Sequence, residues 1–162
     1  MKKIVIFGNS GSGKTTLAKR LVDKHQLAHL DLDSIAWLPT DPPQRCPLTQ
    51  SQAVIESHCT THQEWVIEGC YADLLNIAMN YATEAIFIDL SIDQCVLNAK
   101  NRPWESHKYE SKEAQDQNLE MLIDWIKQYQ TRDDEFSHLA HTKLFDAYKG
   151  HKRRVTTMPG ST

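Results

Sequence analysis

The stretch Gly8-Asn9-Ser10-Gly11-Ser12-Gly13-Lys14-Thr15 constrains this chain more than any other part of it. It fits G-x-x-x-x-G-K-[ST], a pattern whose glycines let the backbone curl without Cβ clashes. Ile4-Val5-Ile6-Phe7 precedes it, an unbroken and mostly β-branched run that reads as a strand buried on both faces. After it, Leu17, Ala18, Leu21 and Val22 recur at the spacing of one helix face. Strand, glycine loop and helix in this order turn the amides of residues 10–15 inward at a helix N-terminus, where the macrodipole is positive. That is an anion nest. Asn9, Ser10, Gly11, Ser12, Gly13, Lys14, Thr15 and Thr16 are the residues expected to bind a nucleotide in it. Lys14 would reach the β- and γ-phosphates, and the Thr15 hydroxyl would be a ligand of Mg2+. The bland alternative, a glycine-rich turn that matches by accident, does not account for the correct flanks.

The 162 residues, 40% hydrophobic and 24% charged, suit one globular domain with a single core. A formal charge of −3 argues against a general nucleic-acid binder while leaving room for a local basic patch. Cys46, Cys59, Cys70 and Cys95 form no C-x-x-C pair and no zinc spacing, so they read as reduced thiols. Met1-Lys2-Lys3 leads into only four apolar residues before Gly8, which is no signal peptide. No run approaches the roughly 20 apolar residues of a membrane span. The expectation is a soluble, cytoplasmic protein. The eight histidines show no H-E-x-x-H or similar spacing, which gives a protein-held metal site little weight.

Along the chain, Leu27 to Asp33 reads as a second strand, and on an extended chain Asp31 and Asp33 would point to the same side. Four prolines between Pro39 and Pro47 exclude helix or central strand there. A helix is expected from Thr49 as N-cap to about His58. Trp65-Val66-Ile67-Glu68-Gly69 is the third strand and Ala85 to Leu90 the fourth, with a helix from Ala72 to Tyr81 between them. A further helix carries Ile92, Cys95, Val96 and Ala99 and ends before Pro103. Residues 101–112 are polar and mixed in charge and read as an exposed segment. Then come a long helix from Lys112 to Tyr129 with Leu119, Leu122, Ile123 and Ile126 as its stripe, a weaker helix from Asp134 to Tyr148, and a fifth strand from Arg153 to Met158. Alternating apolar strands and helices imply an α/β domain, a parallel sheet covered on both faces. Ligands in such sheets sit beyond the carboxyl ends of the strands, which gathers residues 8–15, Asp31, Asp33, Glu68, Gly69 and Asp89 at one edge.

Phosphoryl transfer needs a phosphate cradle, Mg2+, a carboxylate for the metal or its waters, cations over the γ-phosphate and a group that orients the acceptor. Glu68, delivered by an apolar strand, fits the metal carboxylate; its alternative is a cap on the following helix. Asp31 and Asp33 would divide metal and acceptor between them, or else form a solvated strand end that begins a turn. Asp89 precedes a helix and reads as a capping or turn residue. Arg102, Lys108 and Lys112 would close as a lid, or else form a surface charge cluster. Arg45 in the proline-rich arm would clamp an anionic acceptor, with Trp37 and Tyr71 as further anchors.

With these residues placed, the chain resembles the small P-loop kinases of the adenylate and shikimate kinase type. More closely it is similar to the short kinase-like ATPases described as DNA-topology-modulation proteins. Their His-Leu-Asp after strand two, Trp-apolar-apolar-acid-Gly-x-Tyr at strand three and basic lid are matched by His29-Leu30-Asp31, Trp65 to Tyr71 and Asn98 to Lys112. The match covers most of residues 1–112, with Glu68 where Asp is usual and fewer arginines in the lid. The resemblance implies one three-layer P-loop domain with a five-stranded parallel sheet in the order 2-3-1-4-5. It further implies a substrate-binding arm at 37–62, a lid at 101–112, and ATP with Mg2+; the helical segment at 113–148 that completes the single domain is read from the residues themselves. On this reading Lys14, Asp33 and Arg102 are catalytic, Thr15, Asp31 and Glu68 serve the metal, and Arg102 also touches the nucleotide. Asp33, Arg45, Gly69 and Tyr71 bind a small-molecule acceptor. The rival reading is a regulatory nucleotide-binding ATPase acting through a protein or nucleic-acid partner. The thin arginine complement of the lid favours it, and the net negative charge counts against its nucleic-acid form.

Overall fold

A computed structural model of the chain describes residues 1–102, 105–106 and 109–157. The first apolar run forms β1 (Lys3–Gly8), and the glycine loop feeds α1 (Lys14–His25). Then follow β2 (Ala28–Asp31), a hairpin of β3 (Trp37–Leu38) and β4 (Gln44–Arg45), and α2 (Leu48–Thr61). Next come β5 (Trp65–Gly69), α3 (Ala72–Met79), β6 (Glu84–Ile88) and α4 (Ile92–Lys100). The last elements are α5 (Lys112–Lys127), α6 (His138–Ala147) and β7 (His151–Val155).

Five strands pair in the order β2-β5-β1-β6-β7, every pair parallel. Counted among the five alone, this is the expected order 2-3-1-4-5. Side chains of a strand alternate between faces, and the core divides accordingly. Val5, Phe7, Ile67 and Phe87 pack with Ile55 of α2, Leu74 and Leu75 of α3, and Leu144 of α6. Ile4, Ile6, Val66, Ile86 and Ile88 pack with Leu17 and Ala18 of α1, Cys95 of α4 and Ile126 of α5. Each fully buried Ile or Phe contributes about 1.5–3 kcal/mol relative to exposure, which is why the apolar runs were visible as strands.

Several local readings are corrected. The second strand ends at Asp31 rather than continuing to Asp33, because residues 32–34 turn into a short 3-10 helix. The Asp31 side chain accepts from the Asp33 amide at 2.9 Å, and that turn removes the shared side expected for the two carboxylates. The second helix starts at Leu48, not after a Thr49 cap. The Pro47 carbonyl accepts the first amides, those of Gln50 and Ser51, a position that costs proline no donor. Ser91, not Asp89, caps α4, by accepting from the Gln94 amide at 3.1 Å. Asp89 instead takes Arg154 of β7 and His138 of α6. The last strand begins two residues before Arg153, and the expected end at Met158 lies outside the described residues.

α6 is fastened to the sheet by His141, which is fully buried beside Phe7, Phe87 and Tyr129. Its Nε2 donates to the Cys70 carbonyl at 2.8 Å, so Nδ1 is the acceptor for the Tyr129 hydroxyl at 2.7 Å. Burial, only partly opposed by the Cys70 bond, lowers its pKa from 6.5 to about 4. Between those two values the unfolded chain binds a proton that the folded chain refuses, so stability falls as pH falls through that window. In urea unfolding, wild type should lose up to about 3 kcal/mol from this residue between pH 6.5 and 4. His141→Gln, less stable at neutral pH, should show a correspondingly flatter profile; two parallel profiles would remove His141 from the account.

Candidate active site

The glycine loop is seated rather than suspended. Gly11 and Gly13 have φ of +77° and +89°, the left-handed region in which a side chain is strained. A Cβ on Gly11 would lie 2.5 Å from the Cys95 carbonyl oxygen, so the loop rests directly on α4. There Asn98 Nδ2 donates to the Gly11 carbonyl at 2.7 Å. On the other side the buried Asn9 side chain donates to the Ile126 carbonyl at 3.3 Å, near the end of α5. Asn9, expected to face a nucleotide, thus spends its amide on tying the loop to a helix. Lys14 Nζ reaches back over the loop to the Asn9 carbonyl at 2.7 Å. Gly13 is the N-cap of α1 and supplies no side-chain acceptor, and Ser12 Oγ is buried without a hydrogen-bond partner. Uncapped first-turn amides, an orphaned hydroxyl and a poised ammonium are the donor set that an anionic polyphosphate satisfies. Ser10 is half-buried and Thr16 exposed at the start of the same helix.

The second side of the site comes from β5. Parallel pairing sets Ile6 of β1 opposite Glu68 and Asp31 of β2 opposite Glu68 from the other flank. Glu68 is 2% exposed. Thr15 Oγ1 donates to its Oε1 at 2.9 Å, and His29 Nε2 donates to its Oε2 at 2.9 Å. Glu68 therefore does not cap α3, whose N-cap is Tyr71. Thr15 and Glu68, predicted from separate motifs, meet in the structure. His29 was not predicted as a site residue. Its signal was present in the alternation, since residue 29 shares a strand face with residue 31.

Asp33 sits farther along the edge, on the 3-10 turn. It accepts from the Tyr71 hydroxyl at 2.5 Å, and that oxygen in turn accepts from Trp37 Nε1 at 2.9 Å. Burial, with the nearby acids, raises the Tyr71 phenol far above its usual range, so it stays a donor. Arg45 is expected to clamp an acceptor. Its Nη2 lies 3.0 and 3.1 Å from the two carboxylate oxygens of Asp73, and the guanidinium stands 5.0 Å from the Tyr71 ring centroid. Its charge is already paired. Gly69 is fully buried, and a Cβ there would come within 2.9 Å of Leu32, so packing accounts for this glycine without an acceptor. Arg102 pairs with Glu105 at 3.1 Å, and Lys112, opening α5, lies 3.4 Å from Asp116. Lys108 falls outside the described residues. Among the described residues no group of three or more His, Cys, Asp or Glu is placed to hold a metal ion, and no helix is long and apolar enough to cross a membrane.

Comparison with known proteins locates the architecture. The family model PduV-EutP, described as ethanolamine utilisation and propanediol utilisation, matches residues 1–40, the part from β1 through β3. No curated protein sequence matches the chain. Among solved structures, the shikimate kinase from Acinetobacter baumannii in complex with shikimate superposes with a TM-score of 0.51 at 13% identity, covering 99% of this chain and 87% of that one. A gluconokinase from Sinorhizobium meliloti 1021 gives 0.51 at 15% identity over 96% and 83%. The deoxyadenosine kinase from M. mycoides with bound dATP gives 0.50 at 13% over 95% and 90%. The fold is that of the P-loop kinases. At such identities the likeness is one of fold, and it extends over nearly the whole length of the chain.

The seat of the loop is testable. Gly11→Ala places a Cβ where φ is +77° and the Cys95 carbonyl is 2.5 Å away. It should destabilise the protein by about 1–3 kcal/mol in denaturant unfolding, whereas Thr16→Ala at the exposed neighbour should leave the midpoint nearly unchanged.

Proposed function

We propose that this protein is an ATP- and Mg2+-dependent phosphotransferase that moves the γ-phosphoryl group of ATP onto a hydroxyl of a small molecule. The observation that carries the reading is the bond from Thr15 to Glu68, which joins the start of the loop helix to a buried carboxylate on the neighbouring strand. Such a pair fits a cation bound beside a polyphosphate. The amides of residues 10–15 would cradle the phosphates, and Lys14, released from the Asn9 carbonyl, would neutralise the β- and γ-oxygens. Thr15 and Glu68, with Asp31 nearby, would hold Mg2+ and its waters. When bound, Mg2+ withdraws charge from the phosphoryl oxygens. Asp33, fixed by Tyr71 and through it by Trp37, would orient the acceptor hydroxyl. Arg45, stacked on Tyr71 and paired with Asp73, would shape the acceptor wall more than supply net charge. Arg102 would close from the lid once exchanged from Glu105. The names of the kinases sharing the fold support transfer to a small molecule. Within that fold we place the chain beside the short kinase-like ATPases described as DNA-topology-modulation proteins, on His29-Leu30-Asp31 and Trp65 to Tyr71. An ATP-dependent enzyme with four free thiols belongs in the cytoplasm.

One observation favours a second reading. Arg102, the arginine of the lid segment, is paired with Glu105, and weak γ-phosphate neutralisation suits a slow regulatory ATPase that acts through a partner. ADP release from Mg-ATP, measured alone and with a panel of hydroxyl compounds, separates the two. Stimulation by a compound supports the kinase; tight binding without turnover supports the regulatory module. Where turnover is measured, Lys14→Ala should lower it by about 100-fold or more with an unchanged circular dichroism spectrum. Wild-type turnover in that variant would end the phosphate-loop assignment.

A further inference from the structure

The contact between His29 and Glu68 has no role in the function just proposed, yet its geometry is that of a support. Each oxygen of the Glu68 carboxylate meets one side-chain donor, Thr15 on Oε1 and His29 on Oε2, both at 2.9 Å. A carboxylate only accepts, so Nε2 of His29 carries the hydrogen. Glutamate also has one more rotatable bond than aspartate, and a carboxylate on a longer stem needs a second tether to keep one position. The sheet supplies that tether. Val66 lies opposite His29 and Glu68 opposite Asp31 in the β2–β5 register, so His29 and Glu68 rise from the same face, the one α1 covers. The histidine is 24% exposed and the glutamate 2%, which puts the imidazole at the rim and the carboxylate inside.

We propose that His29 is a positioning residue that holds Glu68 in the rotamer able to serve a divalent cation beside Thr15, and so sets the cation affinity of the nucleotide site. This rests on the reading of Thr15 and Glu68 as the cation side of that site. Partners that orient a metal-binding carboxylate without touching the metal act on affinity in this way. Without the imidazole, Glu68 loses the donor on Oε2, and its carboxylate is free to rotate away from the Thr15 side.

The test follows Mn2+ binding in the presence of ADP through the electron paramagnetic resonance signal of the free ion. Wild type, His29→Ala and His29→Gln are compared, with Glu68→Gln as the reference for loss. ADP affinity in EDTA and the ligand-free unfolding midpoint are measured on each protein. His29→Ala should weaken Mn2+ by about 10-fold or more while metal-free ADP affinity stays within about twofold, and His29→Gln, which restores an N–H donor, should recover most of the loss. Unchanged Mn2+ affinity in His29→Ala overturns the proposal. So does a His29→Gln variant no better than His29→Ala, or an equal loss of ADP in EDTA, which would mark a merely structural role. A wild-type protein that binds no ADP, or binds it with no linked cation, refutes the nucleotide-site reading itself and removes the basis of this proposal; that result is distinct from a failure confined to the His29 variants.

Discussion

A carboxyl group removed from water must be met by donors, because a buried oxygen left unpaired costs on the order of 1–3 kcal/mol or more. Glu68 is the place where this protein faces that demand, and the candidate site is organised by the answer. One donor, Thr15, comes from the first turn of the loop helix, and the other, His29, from the adjacent strand. Parallel pairing makes the arrangement possible. Because β1 and β5 run in the same direction, with Ile6 opposite Glu68 and Phe7 opposite Gly69, the loop leaving β1 and the acid ending β5 emerge at one edge.

The loop is held from its outer side as well. Gly11 lies against the Cys95 carbonyl and accepts from Asn98, both on α4, while Asn9 donates to Ile126 on α5. These two helices flank the polar segment that begins at residue 101. The two helices on either side of that segment in sequence are therefore both hydrogen-bonded to the glycine loop. The neighbouring wall around Tyr71 is built differently, from rings. Tyr71 stands between Trp37 and Asp33 in a chain of hydrogen bonds, with Arg45 over its face and Phe136 5.3 Å away. Arg45 and Arg132 are each paired with a carboxylate, Asp73 and Asp134, which leaves the charge of this wall locally balanced.

Legibility from the sequence followed the range of the interaction concerned. Ile4 to Phe7, Trp65 to Gly69 and Ala85 to Ile88 are buried on both faces, so their composition alone marked them as strands. The glycine loop was legible because its backbone requirement is local. Boundaries set by a single hydrogen bond were not. Asp31 stops β2 by accepting from an amide two residues on, and Ser91 rather than Asp89 caps α4, choices that several nearby polar residues could have made. Nothing in the linear chain reveals that Asp73 pairs with Arg45 or that Leu32 lies against Gly69.

The sequence by itself determined the α/β class, the glycine loop between strand and helix and the set of acids delivered to one edge, since each follows from short-range pattern and the direction of parallel strands. Only the tertiary structure decided what each of those acids meets: Glu68 is bonded to Thr15 and His29, Asp31 accepts from the Asp33 amide with one oxygen, and Asp89 is taken by Arg154 and His138. Those assignments depend on inter-strand register and on which helix crosses which face, and contacts between residues tens of positions apart leave no periodic trace in the chain.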